Sequence, residues 1–496
     1  MNTTAASPSP AAGRREWIGL AVLALPILLV SLDFSVLYLA LPKLSADLAP
    51  SGSELLWISD IYGFMIAGFL ITMGTLGDRI GRRRLLTFGA AAFGAASVLA
   101  AYADSAALLI AARALMGVAG ATLMPSTLAL ISGMFEDPRQ RATAIGVWFS
   151  CFLGGIALGP IVGGLLLEHF WWGSVFLLSV PVMVVLLVLA PRLLPEQRDP
   201  AAGRIDLASV ACSLAAILLL VYGLKEVAQH GLDTAAWFAV VAGAALAAAF
   251  VRRQRTLASP LLDLALFRNR TFAVALAVML PGALIPGGVN LFATQHLRLV
   301  EGLSPFQAGL WLLPSALATI AGAMLAPLLA SRWRPANVIA GGVLLAAGGF
   351  ALLTQVSVGS GVPLLVLGGT IAFLGIAPSG VLATEMVLSS APPERAGSAS
   401  AVSETTAELG VALGVAIFGS IGAAVYRAQL GAGVPNAARD SLAGATAAAR
   451  ELPGRAGVEV ALAAREAFVD AFTVVATVGG IAMALFAVLA ATLLRD

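Results

Sequence analysis

Fourteen apolar stretches, each about 20 residues long, recur along this 496-residue chain, and no other feature narrows its fold as much. They cover residues 17–40, 54–76, 84–103, 107–131, 140–166, 170–190, 206–224, 234–251, 271–295, 306–330, 336–355, 362–387, 398–424 and 468–493. Each is long enough for a helix to cross the hydrocarbon of a bilayer. In that solvent every backbone N–H and C=O must find its partner inside the chain, so an all-α integral membrane fold is expected. A content of 59% apolar and 11% charged residues agrees with that class. The first run, from Trp17, is too long for a cleaved signal peptide.

An even number of crossings puts both termini on one side. If that side is the cytoplasm, the inside segments carry twenty arginines, among them Arg79, Arg82, Arg83, Arg84, Arg139, Arg141, Arg252, Arg253, Arg332 and Arg334. The short outside loops hold only Lys43, Lys225 and Arg298, which gives an N-in, C-in topology. All but two of the 29 basic residues are arginine, and with the excess of Ala and Gly this points to a GC-rich bacterial genome, hence to the bacterial cytoplasmic membrane. The net charge of +2 offers nothing to a nucleic acid. Cys151 and Cys212 lie in apolar runs and read as packing residues.

Polar linkers at 191–205 and 252–270 bracket two helices that stand outside a six-plus-six arrangement. The expected divisions are an N-terminal six-helix bundle (1–192), two additional transmembrane helices with cytoplasmic linkers (193–270) and a C-terminal six-helix bundle (271–496). The last contains an outside helical hairpin at 426–467, broken at Pro453-Gly454. PLLDLALF, residues 260–267, has the apolar spacing of a short interfacial helix.

Three groups of residues stand out as functional. In GVWFSCFLGGIALGPIVGG (146–164), Gly155, Gly159 and Gly163 share one helix face, where another helix can approach closely; Pro160 removes a backbone donor there. In GTLGDRIGRRR (74–84), Gly77 and Gly81 permit a tight turn, and Asp78 can accept from arginine side chains or cap a neighbouring helix. The third group is the few ionisable residues inside spans, which are costly and therefore functional candidates: Asp33, Asp60, Arg113, Glu404 and Glu408. Asp33 lies 16 residues into the first run, roughly 24 Å along the helix. Arg113 reads as an internal counter-ion for Asp33 or Asp60. Glu404 and Glu408 are one turn apart and resist simultaneous ionisation, so one is expected to carry a proton, which suits exchange of a proton for a cation. Glu385 reads as a side chain reaching the interface. Trp57, Tyr62 and Trp148 offer aromatic faces to a lipophilic cation.

The register of 146–164 resembles the fifth-helix antiporter motif of the major facilitator superfamily, and 74–84 resembles its loop signature. LDFSVLYLALP (32–42) and WWGSVFLLSVP (171–181) resemble the first- and sixth-helix motifs of the fourteen-helix drug:H+ antiporters, with Ser179 where asparagine is usual. LLWISDIYGFMIAG (55–68) and SAVSETTAELG (400–410) bring the chain near the QacA, SmvA and LfrA branch, exporters of quaternary ammonium compounds and dyes. The resemblance implies two six-helix bundles plus two additional helices, alternating about a central cavity. It also implies proton-driven multidrug efflux of lipophilic cations, without a cofactor, by what is expected to be a monomer. Proton coupling would then fall to Asp33, Arg113 and Asp60, and substrate binding to Glu404, Glu408, Asp33, Trp57, Tyr62 and Trp148. Gating would fall to Gly74, Asp78, Arg79, Gly81, Arg82, Gly155, Gly159, Pro160 and Gly163.

An enzyme is not expected: His169, His230 and His296 fall in outside loops, and no metal-spaced cluster or phosphate-binding glycine loop occurs. The alternative that keeps the fold is a proton-coupled exporter or symporter of one antibiotic or metabolite.

Overall fold

The computed structural model describes residues 12–50, 52–198, 206–230, 234–257, 260–359, 362–430, 438–439, 441–451 and 455–493. Among them every regular element is a helix, and 14 helices are long and apolar enough to cross a membrane. In order they are α1 (Arg14–Leu48), α2 (Gly52–Ile80), α3 (Arg82–Ala101), α4 (Ala106–Met134), α5 (Pro138–His169), α6 (Ser174–Leu193, interrupted at Leu178), α7 (Leu207–His230), α8 (Thr234–Gln254), α9 (Arg270–Gln295), α10 (Pro305–Ala330), α11 (Pro335–Leu353), α12 (Val362–Ser390), α13 (Ala396–Gln429) and, after a short α14 (Leu442–Glu451), α15 (Arg455–Leu493). The Pro453-Gly454 break lies outside the described residues.

Local chemistry marks where these helices begin. Asp137 accepts from Arg139 N at 3.0 Å with Pro138 in the first turn, and Asn269 accepts from Thr271 N at 3.0 Å. Ser304 and Gln307 close a reciprocal capping box with Pro305 inside it. Glycine then sets how closely the helices pack. A Cβ on Gly155 of α5 would collide with the Leu28 carbonyl and Ser31 Oγ of α1, and one on Gly163 would press on Val36; Gly159 is buried between them. On the other bundle, a Cβ on Gly414 of α13 would meet the Leu284 carbonyl of α9, so the α9–α13 pair repeats the α1–α5 arrangement. Helices α1–α6 thus form one six-helix bundle, and α9–α13 with α15 form the other.

Helices α7 and α8 pack on each other through Gly223 and Gly243, and α7 leans on both bundles, on α13 and on α2, where Phe64 and Ala67 meet Ile217 and Val221. At their shared end Arg253 grips Asp206 with both arms, 2.6 and 3.0 Å, and with Ser209 holds that carboxyl below the usual carboxylate range.

The PLLDLALF stretch forms only one 3₁₀ turn, Leu266–Arg268. Its backbone is engaged elsewhere: Leu261 N and Leu262 N donate to Gln254 Oε1 (2.7 and 3.2 Å), and Thr75 Oγ1 donates to Leu261 O (2.6 Å). His296 also departs from expectation. Instead of lying in an outside loop, it continues α9 in a π-turn, His296–Val300, and is fully buried. Its ring lies 5.9 Å from that of Phe472, with Nε2 3.4 Å from Glu301 Oε1.

Candidate transport pathway

The two bundles close on each other at the end of the molecule where α2 finishes and α13 begins. Gly81 adopts φ +111°, which a residue with a side chain rarely tolerates, and turns the chain directly from α2 into α3. That turn leaves Asp78 facing the first turn of α13. The carboxylate accepts from Gly397 N (2.9 Å), Ser398 N (2.8 Å) and Ser398 Oγ (2.9 Å), and Arg82 Nε donates to it at 3.0 Å. An acid of one bundle therefore caps a helix of the other, with the helix dipole and three donors favouring its charge. Arg82, 1% exposed, reaches on to Gln197 Oε1 and to the Pro393 carbonyl, and Arg79 donates to the Pro260 carbonyl at 3.4 Å. Gly74 completes the seal, since a Cβ there would collide with Ala401 and the Gly397 carbonyl. A second bond across the bundles is Arg141 to Glu385, 3.0 Å; Glu385 thus finds a partner rather than only reaching the interface.

Above this latch, toward the opposite end, lies a cavity of about 990 Å³ between the bundles. Phe149, Phe152, Leu153 and Ile156 of α5 form one wall; Asn290, Thr294, Gln295 and Arg298 of α9 and its π-turn line the other, with Thr319 and Ser379 contributing hydroxyls. Ala407, Val411 and Val415 of α13 complete it.

The residues singled out from sequence are distributed around this cavity rather than gathered in its described wall. Asp33, 9% exposed, pairs with Arg113 at 3.2 Å. Arg113 Nε also donates to Ile58 O at 2.6 Å, and the guanidinium lies over the rings of Tyr62 (5.2 Å) and Phe176 (5.8 Å). Tyr62 is fully buried and donates to Val30 O at 3.3 Å, so its ring belongs to this cluster. Asp60 is half-buried on α2, and Trp57 is 45% exposed with its edge against Phe64. Trp148 donates to Thr127 Oγ1 at 2.9 Å and stacks on Phe152, with ring centroids 6.1 Å apart and planes at 3°. It therefore supports an aromatic wall that it does not itself line.

Glu404 sits on α13, two turns above the Asp78 cap, and is 7% exposed. Ser400 Oγ donates to its Oε1 at 3.4 Å, while Oε2 has no partner among the described residues. Glu408, one turn further and half-buried, lies between the wall positions Ala407 and Val411. Sequence reasoning missed Phe149, Phe152, Asn290, Thr294 and Gln295. The spacing of Gly287, Asn290, Thr294, Gln295 and Arg298 along α9 and its π-turn marks one small and polar helix face and was the available signal.

The sequence profile described as "Major Facilitator Superfamily" matches residues 23–415. The chain is 43% identical over 460 residues to the multidrug efflux pump LfrA of Mycolicibacterium smegmatis, covering 92% of this chain and 91% of that one. It is 36% identical over 485 residues to the methyl viologen resistance protein SmvA of Salmonella typhimurium, with 96% and 97% covered. The solved structure of the human organic anion transporter MFSD10 (TETRAN) superposes with a TM-score of 0.60 at 17% identity, over 94% of this chain and 99% of that one, a likeness of fold. A fourteen-helix, multi-pass membrane transporter related to multidrug efflux pumps, and not an enzyme, this chain belongs to the Major Facilitator Superfamily.

Proposed function

We propose that this protein is a proton-coupled multidrug exporter of lipophilic aromatic cations, quaternary ammonium compounds and dyes among them, in the bacterial cytoplasmic membrane. The latch end faces the cytoplasm in this reading, as the arginine-rich segments require. With the latch closed and the cavity on its far side, substrate in this reading would leave outward from this state. The likeness to LfrA, a multidrug efflux pump, and to SmvA, a methyl viologen resistance protein, supports the substrate class.

The observation that carries proton coupling is Glu404, a carboxyl buried where α13 closes on the other bundle, with one oxygen unpartnered among the described residues. A closed seam shuts this group off from water and an open one returns it, which is what a carrier of protons between two states requires. Asp33 has an ion-pair partner that can be exchanged for a proton, and Asp60 stands on the adjacent helix. Aromatic substrates would lie against Phe149 and Phe152, whose π-faces attract an alkylammonium group.

Purified protein in proteoliposomes, loaded with ethidium and subjected to a pH jump, tests the reading. An inwardly directed proton gradient should expel the dye. Dye movement indifferent to the gradient would leave a passive carrier, and movement in the direction of the protons would mean symport.

A further inference from the structure

The linker between α8 and α9 is held from three sides at the latch end of the molecule. Gln254, the buried last residue of α8, donates from Nε2 to Ser209 Oγ of α7 at 2.8 Å, and its Oε1 accepts from Leu261 N and Leu262 N at 2.7 and 3.2 Å. Both ends of that amide are engaged in fixing the linker to the α7–α8 pair. Leu261 then offers its carbonyl to Thr75 Oγ1 of α2 at 2.6 Å, and the neighbouring Pro260 carbonyl accepts from Arg79. Two residues on, Asp263 binds Arg395, directly before α13, and Asn269 Nδ2 donates to Ser390 O at the end of α12, 3.3 Å away. The linker therefore crosses the seam beside the Asp78 cap, with Thr75 3.4 Å from Ser398. A stretch of two residues spans at most about 7 Å. Parting α2 from α13 further than that stretch and the Arg395 side chain can follow breaks one of the two bonds.

We propose that Gln254 is a positioning residue for closure of the cytoplasmic seam. It presents the linker as a strap across the two bundles, so that α7 and α8, which contribute nothing to the described cavity wall, set the balance between outward- and inward-open states. Without the amide, the Leu261 carbonyl is no longer aimed at Thr75, and the closed seam loses a hydrogen bond that an open one does not make. A bond made in one state only shifts the equilibrium by its own worth. The inference takes alternating access from the export reading above. Its test involves neither substrate nor proton gradient, so the two can fail separately.

Cysteine reactivity of the full-length protein in lipid nanodiscs, in a Cys151→Ala, Cys212→Ala background, makes the test. Ala401→Cys, fully buried at the seam, reports cytoplasmic opening, and Thr294→Cys, on the cavity wall, reports outward opening. Gln254→Met keeps the bulk of the side chain and removes its hydrogen bonds. It should raise the labelling rate of Ala401→Cys by roughly two- to tenfold, the worth of one hydrogen bond, and lower that of Thr294→Cys. Thr75→Val should do the same, and the double variant should do no more than either alone, since both act through one bond. Asp263→Asn, which weakens the anchor at Arg395, should move the two rates in the same opposed directions, and it decides the matter should Gln254→Met not fold. Rates that rise at both positions, as from general loosening, or that do not change, would overturn the proposal. So would effects of Gln254→Met and Thr75→Val that add in full.

Discussion

Arg113 Nη1 lies 3.2 Å from Asp33 Oδ2, and the ion pair ties α4 to α1 in the interior of the first bundle. Because Arg113 is 1% exposed, removing its partner leaves a charge with no solvent to receive it. Asp33→Asn should therefore lower stability by about 3–5 kcal/mol, the usual cost of breaking a buried pair, while abolishing efflux driven by a pH gradient. Adding Arg113→Leu should recover much of the stability and none of the transport. Thermal unfolding in detergent and pH-jump efflux read the two effects separately, and wild-type efflux by Asp33→Asn would take Asp33 out of the coupling.

Gly155 and its neighbour Gly154 form a matched pair for testing the α1–α5 contact. A Cβ on Gly155 would collide with the Leu28 carbonyl and Ser31 Oγ, whereas one on Gly154 meets nothing within 4 Å. Gly155→Ala should cost about 1–3 kcal/mol or arrest the transport cycle, and Gly154→Ala should be silent in both respects. Expression, melting temperature and ethidium efflux of the two variants check this. Loss in Gly154→Ala of the same size would mean that the response is not one of steric contact.

Asp78→Asn keeps the shape of the latch but removes the charge that Arg82 and the first turn of α13 share. A loss of about 1.5–3 kcal/mol of charge-assisted bonding corresponds to a shift of tenfold or more from closed toward open. A cysteine at Ala401, fully buried in the closed state, should react faster with a thiol reagent from the cytoplasmic side in the Asp78→Asn background. Unchanged reactivity would show that Gly74, Arg141 and Glu385 hold the seam without Asp78.

Glu404 and Glu408 differ in enclosure, and a dication asks more of them than a monovalent dye does. Offsetting two desolvated charges takes a second ionised acid, so Glu408→Gln should reduce transport of a bis-quaternary compound several-fold more than that of ethidium. Equal losses for both substrates, at matched expression, would reduce the pair to proton carriage or packing.

Orientation is checked at Glu459, exposed near the start of α15. A cysteine there, in a background lacking Cys151 and Cys212, should react with an impermeant thiol reagent on intact cells. Reaction only after permeabilisation would invert the topology.

The crossings were legible because hydropathy over 20 residues depends on the bilayer and hardly on neighbours. The partnership of Arg113 was legible for a related reason: a charge inside a span must find an opposite one, and Asp33 and Asp60 were the nearest acids in its bundle. Asp78 was recognised as a helix cap without any means of naming the helix, because α13 begins more than 300 residues later and only the closing of the bundles brings the two together. The cavity wall was obscured because Phe149, Asn290, Thr319 and Ser379 come from four helices, and each looks ordinary in its own run. His296 was misplaced because a π-turn carries α9 five residues past its hydropathic end, and PLLDLALF because its backbone is held by Gln254 and Thr75, partners that only the folded chain brings to it.

That last arrangement bears on how such a chain can be cut and rejoined. Gln254 Nε2 donates to Ser209 Oγ at 2.8 Å while its Oε1 holds Leu261 and Leu262, and Thr75, bonded to Leu261, lies 3.4 Å from Ser398 beside the Asp78 cap. Asp263 in turn holds Arg395. The linker that follows α8 is thus tied to both bundles, while α7 itself packs on α2 and α13. A twelve-helix form made by joining residue 192 directly to 270 would keep the helices of the two bundles, yet lose the bonds from Leu261 to Thr75 and from Asp263 to Arg395 that tie both bundles to one linker.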